Sequence, residues 1–174
     1  MSDKALDRLI RVIPDWPEPG VMFQDLTGVL ADGEGLAEIG RDLAAAFGDL
    51  EVDVVAGMEA RGFIIGTSVA RELGVGFIAV RKAGKLPGPV HSESYALEYG
   101  TAELQVHQED LNAGQRVLVI DDVLATGGTA LATAQLIERG GAEVVGMGFV
   151  LELTFLGGGT KLDRYRVQSL RQIS

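Results

Sequence analysis

Val117-Leu118-Val119-Ile120-Asp121-Asp122-Val123-Leu124-Ala125-Thr126-Gly127-Gly128-Thr129-Ala130 is the stretch around which the chain is organised. Its first four residues are β-branched or Leu without interruption, which suits a strand buried on both faces. Two adjacent carboxylates, Asp121 and Asp122, stand where that strand should end. A loop of small residues follows, Ala125, Thr126, Gly127, Gly128 and Thr129, and opens into a helix predicted over 130–139. Small residues let the backbone close around a ligand, and a helix N-terminus offers unpaired N–H groups to a phosphate. Paired carboxylates beside it can hold sugar hydroxyls or a magnesium ion. Like charges this close repel each other, so the pair asks for a ligand that uses both. Phosphate, sugar and metal in one stretch point to a phosphorylated ribose.

Other phosphate motifs fit poorly. A Walker loop needs a lysine that this stretch lacks, and a dinucleotide fingerprint places its acid about 20 residues after the glycines, not before them.

Working outward, the 174 residues are enough for one domain with a single sizeable core, and 47% hydrophobic content argues for a globular fold. With no cysteine, disulfides, zinc-thiolate sites and cysteine nucleophiles are excluded. The chain opens Met-Ser-Asp-Lys, without a basic-then-apolar leader, and no apolar run reaches the ~18 residues of a membrane span, so the expected location is cytoplasmic. A formal net charge of −10 argues against nucleic acid as a partner. It also makes the few basic groups that could meet a polyanion informative.

The periodicity predicts an amphipathic helix over 2–13, capped by Ser2, with Leu6, Leu9, Ile10 and Ile13 on one face. Pro14, Pro17, Pro19 and Gly20 then make a loop in which Trp16 reads as a packed cover. A helix from Asp32 or Gly33 buries Leu36, Ile39, Leu43 and Phe47. A strand over 52–56 leads through Gly57 and Arg61 to a helix over 63–73, stopped by Gly74, and then to a strand over 75–80. The same succession recurs around the opening stretch, with a strand over 143–151. Strands and helices alternating at these lengths imply an α/β fold with a central parallel sheet, its ligands outside the C-terminal strand ends. The segment 81–100 carries Arg81, Lys82 and Lys85 among glycines and prolines, as a basic lid would. From Ser94, alternation predicts an antiparallel flap with 102–107. Gly157-Gly158-Gly159 reads as a turn, and 166–170 as a last, edge strand. His91 and His107 stand apart from carboxylates at ligand spacing, so no transition-metal site is expected.

The opening stretch resembles the phosphoribosyl-diphosphate loop of the type I phosphoribosyltransferases, where an acidic pair precedes a Thr-Gly-Gly-Thr cradle. Further stretches are similar to the adenine-using branch of that family: residues 19–27, Met58 to Phe63, Arg81 to Gly88 and Ser94 to Thr101. The resemblance runs from about Leu6 to the C-terminus. It implies one phosphoribosyltransferase domain over 1–174, with a hood over 1–30 and a flexible lid or flap over 81–107. The implied reaction joins adenine and 5-phosphoribosyl 1-diphosphate to give AMP and diphosphate, with magnesium, in purine salvage by a homodimer. It implies that Asp121 and Asp122 meet the ribose hydroxyls, residues 125–129 the 5′-phosphate, and Arg61, Arg81, Lys82 and Lys85 the diphosphate. Phe23 would stack on the base while the backbone at Met22 and Gln24 reads its edge, and Glu98 would be the proton donor near N7 of the leaving or attacking base. Tyr99 ranks below Glu98, because alternation in a regular strand puts the two on opposite faces. Where the family commonly has a basic residue after Phe23, this chain has Gln24. Two alternatives stand beside this reading: a phosphoribosyltransferase for a 6-oxopurine, and a regulator that senses phosphoribosyl diphosphate.

Overall fold

The computed structural model describes residues 3–96 and 100–174. In chain order the elements are α1 (Asp3–Leu9), β1 (Arg11–Pro14), β2 (Met22–Asp25), α2 (Thr27–Ala31), α3 (Gly33–Ala46), β3 (Val54–Met58) and α4 (Arg61–Leu73). Then follow β4 (Gly76–Lys82), β5 (Val90–Ala96), β6 (Thr101–His107), β7 (Arg116–Leu124), α5 (Gly128–Arg139), β8 (Glu143–Leu153) and β9 (Val167–Ile173). Short 3₁₀ turns occupy Thr154–Leu156 and Gly158–Leu162. The main sheet runs β5-β6-β4-β3-β7-β8-β9, and β1 and β2 make a separate antiparallel ribbon. Across the sheet from β4 to β9 every pairing is parallel, as the alternating pattern predicts; β5 and β6 add an antiparallel hairpin to the β4 edge.

β7 is the middle strand of the five parallel ones, and Val117, Leu118, Val119 and Ile120 are fully buried. Strand alternation divides them between the faces. Val117 and Val119 pack with Leu136 and Ile137 of α5, while Leu118 and Ile120 pack with Leu43 of α3 and with Ile65 and Val69 of α4. Each such side chain contributes roughly 1.5–3 kcal/mol by leaving water. Asp32 caps α3 by accepting the Gly35 N–H at 2.7 Å, and left-handed Gly74 ends α4, as expected. Among the described residues, no helix is long and apolar enough to cross a membrane.

Several boundaries move. The first helix ends at Leu9, not Ile13: the residue before Pro14 is driven from the helical region, and Val12 and Ile13 pair with β2 instead. Ile13 is thus 40% exposed rather than on a buried helix face, and Ser2 lies outside the described residues. Trp16 covers no core; it is 57% exposed. The strand expected over 52–56 is Val54–Met58, because the Asp53 carboxylate takes the Arg116 N–H at 2.8 Å, a donor the ladder would otherwise use. Helices α4 and α5 each start two residues earlier than expected, which makes Arg61 the first helical residue and not a loop residue. β8 runs two residues past the expected end at Leu151, and β9 covers Val167–Ile173 on the sheet edge. Short α2 was not expected. In the segment from Arg81 the hairpin starts at Val90, not Ser94, since β6 pairs with β5 along its whole length.

Candidate functional site

β7 continues through Leu124, so Asp121 and Asp122 lie inside the strand, just before its end. Alternation there serves both carboxylates. Asp121 lines a small cavity of about 90 Å³ with residues 125–129, and Asp122 lines a large apolar one on the other side. Both also line a third cavity of about 310 Å³ that adjoins the other two. Beyond the strand, Gly127 adopts φ +77° and Gly128 begins α5, whose first N–H groups face the small cavity's loop. The loop leans on the 3₁₀ turn after β8: a Cβ on Gly127 would stand 2.6 Å from the Gly158 carbonyl oxygen, so no side chain fits. Thr129, in the first turn of α5, has its Oγ1 3.3 Å from the Tyr95 hydroxyl of β5.

Arg61 reaches the acids from the start of α4. Its Nε lies 2.6 Å from Asp122 Oδ2. The N–H is not aimed at that oxygen, which is buried and has no hydrogen-bond partner among the described residues. The approach depends on Gly62, where a Cβ would come within 2.8 Å of Asp121 Oδ1. Burial raises the Asp121 carboxyl well above the usual carboxylate range, and the Asp122 charge adds to this; the Asp122 N–H donating to Asp121 Oδ1 at 2.9 Å and the Arg61 charge oppose it.

Glu59, in the turn between β3 and α4, accepts the Lys82 N–H at 3.1 Å and Arg81 Nε at 3.3 Å. Burial alone would raise its carboxyl, but these two donors and the Arg81 charge outweigh it, and the net shift is downward. Arg81 also donates to the Lys85 carbonyl at 3.1 Å. Of the expected basic residues, Lys82 lines the middle cavity with Arg61, Glu59, Tyr95 and the acids. Arg81 is occupied by Glu59, and Lys85 is exposed on the turn after β4.

The large cavity, about 900 Å³, lies between the β1–β2 ribbon and the C-terminal end of β8. Met22, Phe23 and Gln24 form one wall. Leu153, Phe155, Leu156 and Ile173 form the other, with Arg61, Asp122 and Val123 at the inner end. Phe155 and Leu156 are 66% and 42% exposed, unusual for such side chains unless something covers them. Asp25 closes the ribbon, accepting the Thr27 hydroxyl at 2.7 Å and N–H at 2.9 Å, bonds that lower its carboxyl pKa.

The structure therefore gathers Arg61, Lys82, Asp121, Asp122 and residues 125–129 around adjoining cavities, with Met22, Phe23 and Gln24 beside them. It does not bring Arg81 or Lys85 to these walls. Glu98 and Tyr99 lie outside the described residues. Sequence reasoning missed Glu59, Tyr95 and the Leu153–Leu156 wall. The wall had a signal: apolar residues continue past the C-terminal end of a parallel strand, where ligands bind.

The family model of the phosphoribosyl transferase domain matches residues 27–172. An adenine phosphoribosyltransferase of Streptomyces coelicolor is 57% identical over 154 residues, 88% of this chain and 85% of the relative. The crystal structure of adenine phosphoribosyltransferase from Thermoanaerobacter pseudethanolicus superposes with a TM-score of 0.94 at 44% identity, covering 99% of this chain and 100% of that one. The Giardia lamblia enzyme, crystallised with 9-deazaadenine, gives a TM-score of 0.91 at 37% identity, covering 99% and 98%. The chain belongs to the phosphoribosyl transferase family, in its adenine phosphoribosyltransferase branch.

Proposed function

We propose that this chain is an enzyme transferring the phosphoribosyl group of 5-phosphoribosyl 1-diphosphate to adenine, giving AMP and diphosphate in purine salvage. The observation that carries this is the row of three adjoining cavities at the C-terminal strand ends: a small-residue cradle, a middle space with cations and paired carboxylates, and an apolar slot. Phosphate, ribose with diphosphate, and base fit these in turn. Residues 125–129 would hold the 5′-phosphate on backbone N–H groups, and Asp121 and Asp122 would accept the ribose hydroxyls. Arg61 and Lys82 would grip the diphosphate, with Arg81 and Lys85 joining from a lid within 81–107. The hood over 1–30 would lay Phe23 against the adenine face, opposite Leu156.

In the transfer, N9 of the N7–H tautomer of adenine bonds to C1 as the C1–diphosphate bond breaks. The N7 proton passes to Glu98, which returns it in the reverse direction. The sugar between them carries oxocarbenium character, so the protein's work is positioning and charge stabilisation, without a covalent nucleophile. Among the described residues no three His, Cys, Asp or Glu gather to cage a metal. Asp121 and Asp122 instead suit a magnesium ion that takes most of its ligands from diphosphate and water, and such an ion would neutralise the leaving group.

Turnover assayed with adenine, hypoxanthine, guanine and xanthine, each with phosphoribosyl diphosphate and magnesium, tests the reading. Adenine should give AMP by far the fastest; no AMP would overturn it. Omitting magnesium should remove activity. The homodimer that the resemblance implies, tested by light scattering, and a cytoplasmic location belong to the same proposal.

A further inference from the structure

β3 and β4 keep parallel register as far as Met58 opposite Val80, and the Glu59 N–H adds one bond more, to the Val80 carbonyl at 3.0 Å. A regular parallel ladder would continue with the Lys82 N–H donating to the Glu59 carbonyl. The chain leaves the sheet there, turning toward α4 and Arg61, and the Lys82 N–H donates to the Glu59 side chain instead, at 3.1 Å from Oε2. A carboxylate thus stands in for the peptide carbonyl that the turn takes away. The same oxygen accepts Arg81 Nε at 3.3 Å, and Arg81 donates onward to the Lys85 carbonyl at 3.1 Å. One side chain therefore joins the turn before Arg61 to the root of the basic segment after β4.

The charge of Glu59 makes its place informative. It lines the middle cavity beside Arg61 and Lys82; burial raises its carboxyl, yet the Lys82 and Arg81 donors bring it below the ordinary value. A negative charge on that wall repels a diphosphate, so by Coulomb's law alone the site would be better without it. We propose that Glu59 is a positioning residue: through the Lys82 backbone and the Arg81 side chain it sets the spacing of Arg61 and Lys82 across the middle cavity. This deepens the transfer reading and rests on it, in taking that cavity as the diphosphate subsite. Cations whose backbones are already held in place need less ordering when the anion binds. That gain exceeds the repulsion of one carboxylate whose charge Arg81 already offsets.

The test reads binding without turnover, by calorimetry on wild type, Glu59→Ala and Glu59→Gln. The probes are phosphoribosyl diphosphate with magnesium, and AMP, which lacks the diphosphate. Glu59→Ala should weaken phosphoribosyl diphosphate about tenfold or more and AMP less than about twofold. Glu59→Gln keeps the length and an acceptor for the Lys82 N–H, and should stay within about threefold of wild type for both. The sign of the change separates positioning from bare charge. A carboxylate that only adds negative charge predicts tighter phosphoribosyl diphosphate in both variants. Tighter or unchanged binding in Glu59→Ala overturns the proposal, as does an equal weakening of AMP or an equal loss in Glu59→Gln. Thermal melts establish that both variants are folded. A wild type that binds phosphoribosyl diphosphate but makes no AMP from adenine overturns the parent reading and leaves this one standing.

Discussion

At the first residue of β7, Arg116 lies against Glu51 and Asp53; five residues on, Asp121 and Asp122 stand against each other. At the first end every charge has an opposite partner within the fold. Arg116 donates to Asp53 through its backbone N–H at 2.8 Å and its guanidinium at 2.9 and 3.1 Å, and the Asp53 carboxyl falls to about 2. At the other end burial and a like charge push the Asp121 carboxyl upward, and among the described residues the buried Asp122 Oδ2 lies beside Arg61 without a hydrogen bond. The same strand thus carries one charge cluster that the protein satisfies and one that it leaves under-compensated. Under-compensated charge at the C-terminal end of a parallel sheet is a mark of function, and compensated charge at the N-terminal end a mark of stability.

Removing both acids breaks this contrast most severely. Asp121→Asn with Asp122→Asn should lower kcat/KM at least about a hundredfold while circular dichroism stays native; retained turnover would refute their role. Next is Arg61→Lys, which keeps a charge but loses the planar fork. The KM for phosphoribosyl diphosphate should rise about tenfold and that for adenine much less, in steady-state kinetics with each substrate varied. Asp121→Asn alone sharpens the comparison through stability. Because folding raises this carboxyl, its contribution is fully present below the unfolded pKa near 4 and lost as pH rises through the folded value. The amide escapes that loss, so the variant should melt about 2–4 °C higher near pH 8 and show no gain below about pH 4. The smallest effect belongs to Asp53→Asn. Here folding lowers the carboxyl, so its contribution holds above the unfolded value and fades as pH falls through about 2. A slight drop in melting temperature at pH 7, vanishing toward pH 2, is expected, since the pair is exposed.

What the sequence made legible, it did through local rules. The buried run before Asp121, the Asp32 cap and the Gly74 stop depend on neighbours a few residues away. Ile13 escaped such rules because helical spacing and the strand-forming effect of Val12-Ile13-Pro14 compete locally, and pairing with β2 decided between them. The small-residue loop over 125–129 and the acids before it were legible because one strand and one loop contain them. Glu59 was not: its partners Arg81 and Lys82 come more than 20 residues later and meet it only once β3 and β4 are in register. The Leu153–Leu156 wall carried a local signal in its apolar residues past a strand end, but the ribbon it faces comes from the far end of the chain.

Gly158 constrains how this enzyme can change. The short segment after β8 supplies Leu156 to the large apolar cavity and, two residues on, the backbone on which Gly127 of the small-residue loop rests. Two cavities hang from a single peptide spacer, so the apolar wall cannot be lengthened or reshaped there without shifting the backbone that supports the small-residue loop. On the proposed reading, a change of base preference is easier on the opposite ribbon, where a β2 side chain can be exchanged without moving that shared backbone.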